Sequence, residues 1–376
     1  GLVALGLDGQ LLGAGVGVGA EAPVPEGRIA IKVDAPVLQL APWLAALPES
    51  QADGGEWALP LSLGIATPRF MAQGKVLNNV QAALGWHGGE SPVALNIKAR
   101  EVSGTLQYMP RGKGRLQARL AHLALPLEDD GQPAATDAEP EITIPGLDVD
   151  IAALQWKDKV LGSLSLKAQH QPQLWLLDEV LLQTPDGNLA ISGAAPEGKS
   201  SSARRTEIVF SAKSQDAGKL LARLGVPDAL IGGEGELAGR VSWLGHVTAF
   251  DLARLAGSVK LDLRKGRFAQ VDPGAARLLG VLSLQSLSRR IRLDFTDVFS
   301  SGFAFDTLTG SADIDAGVFR SRNVLLQGPA AKVNLQGEAD LANNSQQLRV
   351  HITPTLSEGV AVITGASLLN PIAGAI

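Results

Sequence analysis

Apolar and polar residues alternate with period two along much of the chain. Val259, Leu261 and Leu263 alternate with Lys260, Asp262 and Arg264, and Ile291, Leu293 and Phe295 alternate with Arg292 and Asp294. The pattern recurs at 29–33, 93–99, 237–243 and 348–352. Successive side chains of a strand point to opposite faces, so each run predicts a strand with one greasy and one wetted side. Turn residues such as Pro185, Asp186, Gly187 and Asn188 separate the runs. The chain is therefore mostly β.

Helix signals are few and short. Residues 215–224 predict one helix, closed by Gly225. Asp272 as N-cap and Pro273 at the first helical position open another over 273–287, through Leu278, Leu279 and Leu282. Leu40, Leu44 and Leu47 share a face within 37–47, where Pro42 can kink the helix. Residues 359–376 carry no charge and are rich in Gly and Ala, which predicts a docked or interfacial helix. Eighteen residues lie at the short edge for a membrane span.

An internal repeat supports an extended sheet. Residues 179–193 align without gaps on 323–337, with Val180, Leu182 and Ile191 matching Val324, Leu326 and Leu335. A short strand precedes each copy, at 162–168 and 310–316. Repeated hairpin units build solenoids and long sheets. Acidic, Pro-containing residues 128–141 (EDDGQPAATDAEPE) break the periodicity and read as a flexible linker. They divide a β-rich region, 1–127, from a second one, 142–376.

Composition narrows the chemistry. Apolar residues make up 45% and aromatics 4%, so the interior is aliphatic. A formal charge of −5 gives no electrostatic reason for a nucleic-acid partner. Without cysteine there is no disulfide scaffold or thiolate site. The chain opens without an initiator Met or a signal-peptide succession, and it reads as a piece of a longer protein.

Motif matches are weak. Residues 193–200 fit GxxxxGK[ST], but 207–212 alternates as a strand where a P-loop needs a helix. Residues 15–20 fit GxGxxA, but Pro23 and Pro25 oppose the helix that should follow. His87, His122, His170, His246 and His351 stand singly, without metal-ligand spacing. Asp294, Asp306 and Asp313 lie on polar strand sides. Basic clusters at 111–115, 204–205 and 289–290 read as solvated turns or as contacts for anionic headgroups.

The apolar faces need a cover. Three short helices cannot cover a dozen strands, which leaves a second sheet, the sheet's own curl, or an apolar ligand. Periodicity alone does not choose among a closed sandwich, a barrel and an open groove.

The run Gly266, Arg267, Phe268, then Val271 to Ala275 and Arg277 to Leu287, resembles the C-terminal region of the AsmA-like/YhdP family. The likeness continues through 289–295, 297–300, 302–306 and 328–333 to Asn370 and Pro371. Before Gly232 it rests on strand pattern and on Pro145 to Val149. The resemblance implies an elongated, twisted antiparallel sheet curled into a groove. It implies non-enzymatic phospholipid transport between inner and outer membranes in a periplasmic, inner-membrane-anchored protein, supporting outer-membrane integrity. Partners would be phospholipid acyl chains, the two membranes and envelope proteins, with no cofactor and no metal. Strand parity then nominates the lining: Leu164, Leu166, Val180, Leu182, Val259, Leu261, Leu263, Leu293, Phe295, Val324, Leu326, Val333 and Leu335. The competing reading is a structural or protein-binding β-sandwich of the cell envelope, with an envelope hydrolase more remote.

Overall fold

A computed structural model describes residues 1–5, 11–24, 27–40, 59–129, 144–197, 204–268, 304–329, 331–340, 342–343 and 345–355. Their 21 strands form one sheet. The first group is β1 (Leu2–Leu5), β2 (Leu11–Val18), β3 (Ile29–Asp34), β4 (Leu38–Gln39), β5 (Leu61–Ala72), β6 (Lys75–Trp86), β7 (Val93–Lys98), β8 (Val102–Met109), β9 (Arg115–Leu125) and β10 (Glu128–Asp129). Then come β11 (Gly146–Trp156), β12 (Lys159–Gln171), β13 (Leu174–Thr184), β14 (Gly187–Pro196), β15 (Arg205–Ser214) and β16 (Leu230–Leu244). Last are β17 (Ala256–Phe268), β18 (Ala304–Asp315), β19 (Val318–Gln327), β20 (Ala331–Asp340) and β21 (Ser345–Pro354). Neighbours in sequence are neighbours in the sheet, except that β4 and β10 hang as short pairs on β5 and β6. No second sheet occurs among the described residues.

Pairing is antiparallel apart from β2–β3, β3–β5, β4–β5 and β9–β11. A parallel pair cannot be joined by a hairpin, because the chain must return to the starting edge first. Residues 128–141 fall in the return between β9 and β11. The sheet itself is uninterrupted there, since Gly146–Trp156 pairs directly with Arg115–Leu125. Residues 130–143 lie outside the described set.

The sheet coils because its ladders carry bulges. Register shifts occur in the β8–β9, β11–β12, β12–β13, β13–β14, β18–β19 and β19–β20 pairs. Each extra residue bends its strand and tightens the twist. Gly162 sits at one such shift with φ +142°, and a Cβ there would lie 1.8 Å from the Gln183 carbonyl oxygen. The sequence repeat is also a structural repeat. Val180–Ile191 and Leu182–Leu189 pair as Val324–Leu335 and Leu326–Val333 do, and each hairpin is bulged just before its Val, at 177/180 and 321/324.

Helix α1 (Ala217–Arg223) falls within the predicted 215–224, with Asp216 accepting the Lys219 amide at 3.0 Å as its N-cap. It borders the edge of the sheet here called the helix rim. Lys159 Nζ donates to the Ala222 carbonyl at 2.7 Å, and Arg223 donates to Asp186 Oδ2 at 2.7 Å and to the Val160 carbonyl at 2.9 Å. The helix packs on Leu230 of β16, yet its polar bonds reach β12, four strands away. Such a span requires the sheet to curl. The predicted helix at 37–47 begins differently, because Leu38–Gln39 is extended and pairs with Phe70–Met71. Residues 41–47, 273–287 and 359–376 lie outside the described set.

Dense packing is local. Leu326 and Val333 are each 1% exposed and Phe305 2%, in a cluster with Leu230, Leu308 and Leu335. Leu164 on β12, a lining candidate of the same parity, is only partly buried. Truncating Leu326 to Ala should cost about 2–5 kcal/mol, the range for cavity formation in a packed core, and Leu164→Ala clearly less. Urea unfolding followed by circular dichroism measures both. Equal losses would show that the two ends of the sheet are packed alike.

Candidate functional site: an apolar trough

Side chains of residues paired across a ladder share a face, so register shows what each face presents. One row starts at Val16, Ile31, Leu63, Leu84, Leu95 and Leu106 on β2, β3 and β5–β8. It continues through Ala118, Val149, Leu166 and Val180 on β9 and β11–β13. It ends with Ile191, Phe210, Gly239, Val259 and Ala312 on β14–β18. A second row, two residues away, runs Val18, Val33, Ile65, Ala82, Ile97, Gly104, Leu120 and Ile151. It then passes Leu164, Leu182, Leu189, Ala212, Leu237, Leu261 and Gly310. Neither row contains a polar side chain across fifteen strands.

These side chains are mostly half-buried, and Leu237 is 39% exposed. The glycines leave gaps that neighbours fill. A Cβ on Gly239 would come 2.9 Å from the Phe210 ring, and one on Gly310 2.8 Å from Val324 Cγ2. The opposite face carries Arg119, Asp150 and Ser165 in one paired line, with Arg119 Nη2 on Asp148 Oδ1 at 2.9 Å.

Eleven predicted lining residues lie among the described ones. Leu166, Val180 and Val259 occupy the first row, and Leu164, Leu182 and Leu261 the second. Leu263, Leu326 and Val333 form a further row with Leu308, while Val324 pairs with Leu335. This last group differs from the rest, because Leu326, Val333 and Leu335 are buried in the packed cluster. Leu293 and Phe295 lie outside the described residues.

The rim opposite α1, here the loop rim, carries turn 110–114, loop 245–255 and the end of β14. Val247 in that loop packs against the apolar residues Ala168, Trp175 and Leu177 of β12 and β13. Trp175 and Trp243 are 5% and 6% exposed, their indole N–H groups donating to the Pro145 and His246 carbonyls at 3.2 and 3.1 Å. Register places Trp86, Tyr108, Trp175, Trp243 and Phe319 on the apolar face at this rim. Mid-strand positions are aliphatic except Phe210.

A polar group that sequence reasoning missed sits beside Trp175. Lys113 Nζ, in the β8–β9 turn, bonds Glu197 Oε2 at the end of β14, four strands along the sheet. His170 Nδ1 stands 2.8 Å from Glu197 Oε1. Burial pulls the Glu197 carboxyl up, but the Lys113 ammonium and the His170 imidazole outweigh it and hold its pKa below the ordinary value. Burial also pushes the His246 imidazole down, with Glu197 opposing. Residues 84 positions apart carry no spacing signal that would have joined Lys113 to Glu197.

The motif matches dissolve into strands. Gly193–Pro196 closes β14 and Arg205 opens β15, whereas Gly15–Val18 lies within β2. His122 bonds Ser103 and the Arg100 carbonyl, each at 2.8 Å. No metal-ligating cluster occurs among the described residues, and no helix there is long and apolar enough to cross a membrane.

The profile of the YhdP protein family matches residues 4–376. A curated relative, the intermembrane phospholipid transporter YhdP of Escherichia coli (strain K12), is 34% identical over 126 residues. That match covers 33% of this chain but only 10% of the relative's length. No solved structure matches. With the family profile aligned over nearly its full length, the chain belongs to the YhdP protein family.

Proposed function

We propose that the chain forms a section of a non-enzymatic conduit that carries phospholipid between the inner and outer membranes, supporting outer-membrane integrity. Two unbroken apolar rows across fifteen strands carry this reading. Moving one CH₂ into water costs about 0.8 kcal/mol, so a two-chain lipid crossing an aqueous gap faces roughly 20 kcal/mol. A continuous greasy face removes most of that cost at every step and binds tightly at none. At about 4.8 Å per strand, the rows extend roughly 70 Å.

The half-buried state of the rows supports the same reading. A dry core would hide them, as Leu326 and Val333 are hidden. The relative's description as an intermembrane phospholipid transporter agrees with it. The chain would then work in the periplasm, as part of a longer, inner-membrane-anchored protein with envelope partners. The acyl chains would lie on the rows lined by Leu164, Leu166, Val180, Leu182, Val259 and Leu261. Transport of this kind needs no cofactor and no catalytic group.

A photo-crosslinker at Leu164 should capture phospholipid, and one at Lys167, on the opposite face of the same strand, should not. Equal capture at both would end the assignment of faces. Placing lysine at both Leu166 and Val180 puts two ammonium groups on the first row. Phospholipid co-purifying with the chain should fall at least roughly tenfold, given the cost of a charge in hydrocarbon. Undiminished lipid in the folded variant would refute the conduit.

A further inference from the structure

An acyl chain lying on the apolar rows leaves its headgroup at a rim, and the two rims are not alike. On the loop rim, one carboxylate, one ammonium and one imidazole meet beside the apolar cluster of Ala168, Trp175 and Leu177. The Glu197 side chain is only 9% exposed and that of His170 16%. Register puts His170 on the apolar face, paired with Trp175.

Both ring nitrogens of His170 are shielded from solvent and make no well-aligned hydrogen bond, Nδ1 standing 2.8 Å from Glu197 Oε1 and Nε2 having no partner at all. A polar atom left unsatisfied in such a place carries a cost that a ligand can remove. With the ring N–H on Nδ1, the nitrogen that faces the carboxylate, Nε2 is an acceptor. Glu197 and His170 thus offer acceptors for an ammonium N–H. Lys113, whose side chain is 47% exposed, offers a cation for a phosphate. Neighbouring cations are engaged elsewhere, Arg111 with Glu90 and Arg115 with Asp148, both at 3.4 Å.

We propose that Lys113, Glu197 and His170 form a headgroup site that takes a phosphate–ammonium zwitterion in preference to a net-anionic headgroup. In the empty site, Lys113 and Glu197 satisfy each other. A zwitterion can replace that pair with two matched pairs, phosphate on Lys113 and ammonium on Glu197 and His170. An anionic headgroup gains the contact to Lys113 but leaves a buried carboxylate facing a like charge. This inference rests on the conduit reading and names the lipid class that the conduit favours.

The test incubates the whole chain with vesicles of equimolar phosphatidylethanolamine and phosphatidylglycerol, then measures both lipids in the protein fraction by mass spectrometry. The bound ratio should favour phosphatidylethanolamine by about threefold, as expected for one partly exposed ionic contact. Glu197→Gln should return the ratio to that of the vesicles, and Lys113→Gln should raise it further. Both variants break the same tie between the β8–β9 turn and the end of β14, so a merely structural role would move them in the same direction. Should Glu197→Gln fail to fold, Lys113→Gln decides alone, and an unchanged or lowered ratio overturns the site. Bound lipid without preference in the unaltered chain also overturns it and leaves the conduit standing. No bound lipid at all removes the conduit itself, and this site with it.

Discussion

Among the described residues, a single sheet with one greasy face has no second sheet to satisfy it, and the other features of the fold answer that constraint. A sandwich resolves it by stacking a second sheet, and a barrel by closing on itself. Neither arrangement is made among the described residues, because their 21 strands belong to one sheet and no ladder joins β1 to β21. Curling supplies part of the cover. Bulges bend the strands, α1 ties β16 to β12 along one rim, and Lys113–Glu197 ties the β8–β9 turn to β14 along the other. The rows between those ties stay half-buried. A face held partly open along its length suits a mobile apolar guest better than a fixed side-chain core.

The cover is graded along the chain. At β18–β20 the rows end in a packed cluster where Phe305, Leu326 and Val333 are almost fully hidden. Around β11–β15, most residues of equal parity are only partly buried, although Ile151 is 4% exposed. The hairpins in the two places share register and bulge position, although only part of their sequence is the same. The second hairpin packs into the cluster with Leu230, Phe305 and Leu308. Strands of like register and parity can therefore be partly buried in one section and core in another.

Much of this was legible beforehand, for a physical reason. Period-two alternation depends only on neighbours in sequence, so β7, β16, β17 and the pairing of the two repeats followed from local pattern. Helix α1 was equally local, set by the Asp216 cap and Gly225. Contacts that join distant strands were not legible. Parity placed Leu326 and Leu164 on one face but could not tell a buried leucine from a half-exposed one. Residues 37–47 show helix-like leucine spacing at Leu40, Leu44 and Leu47, yet Leu38–Gln39 takes an open edge beside Phe70–Met71, where backbone pairing overrides weak propensity. The parallel β9–β11 joint was hidden because its pairing spans the acidic stretch, which carries no apolar pattern. The rim aromatics were within reach, since Trp86, Tyr108, Trp175 and Trp243 sit at or near the apolar-parity ends of their strands.

The two rims then differ in what they can do. The helix rim is fastened by a guanidinium on a nearly buried Asp186 and by bonds to backbone carbonyls, contacts that set width and leave little to exchange. The loop rim is fastened by a carboxylate whose partners are two side chains, one of them half exposed. Backbone carbonyls cannot leave, whereas a lysine can swing into water at small cost and return. A guest that slides along aliphatic rows meets equal cost at each strand, so the rows themselves cannot distinguish one two-chain lipid from another. Discrimination has to come from groups the rows do not contain, and in the described part of this chain an exchangeable ionic group lies beside the rows where Lys113 meets Glu197.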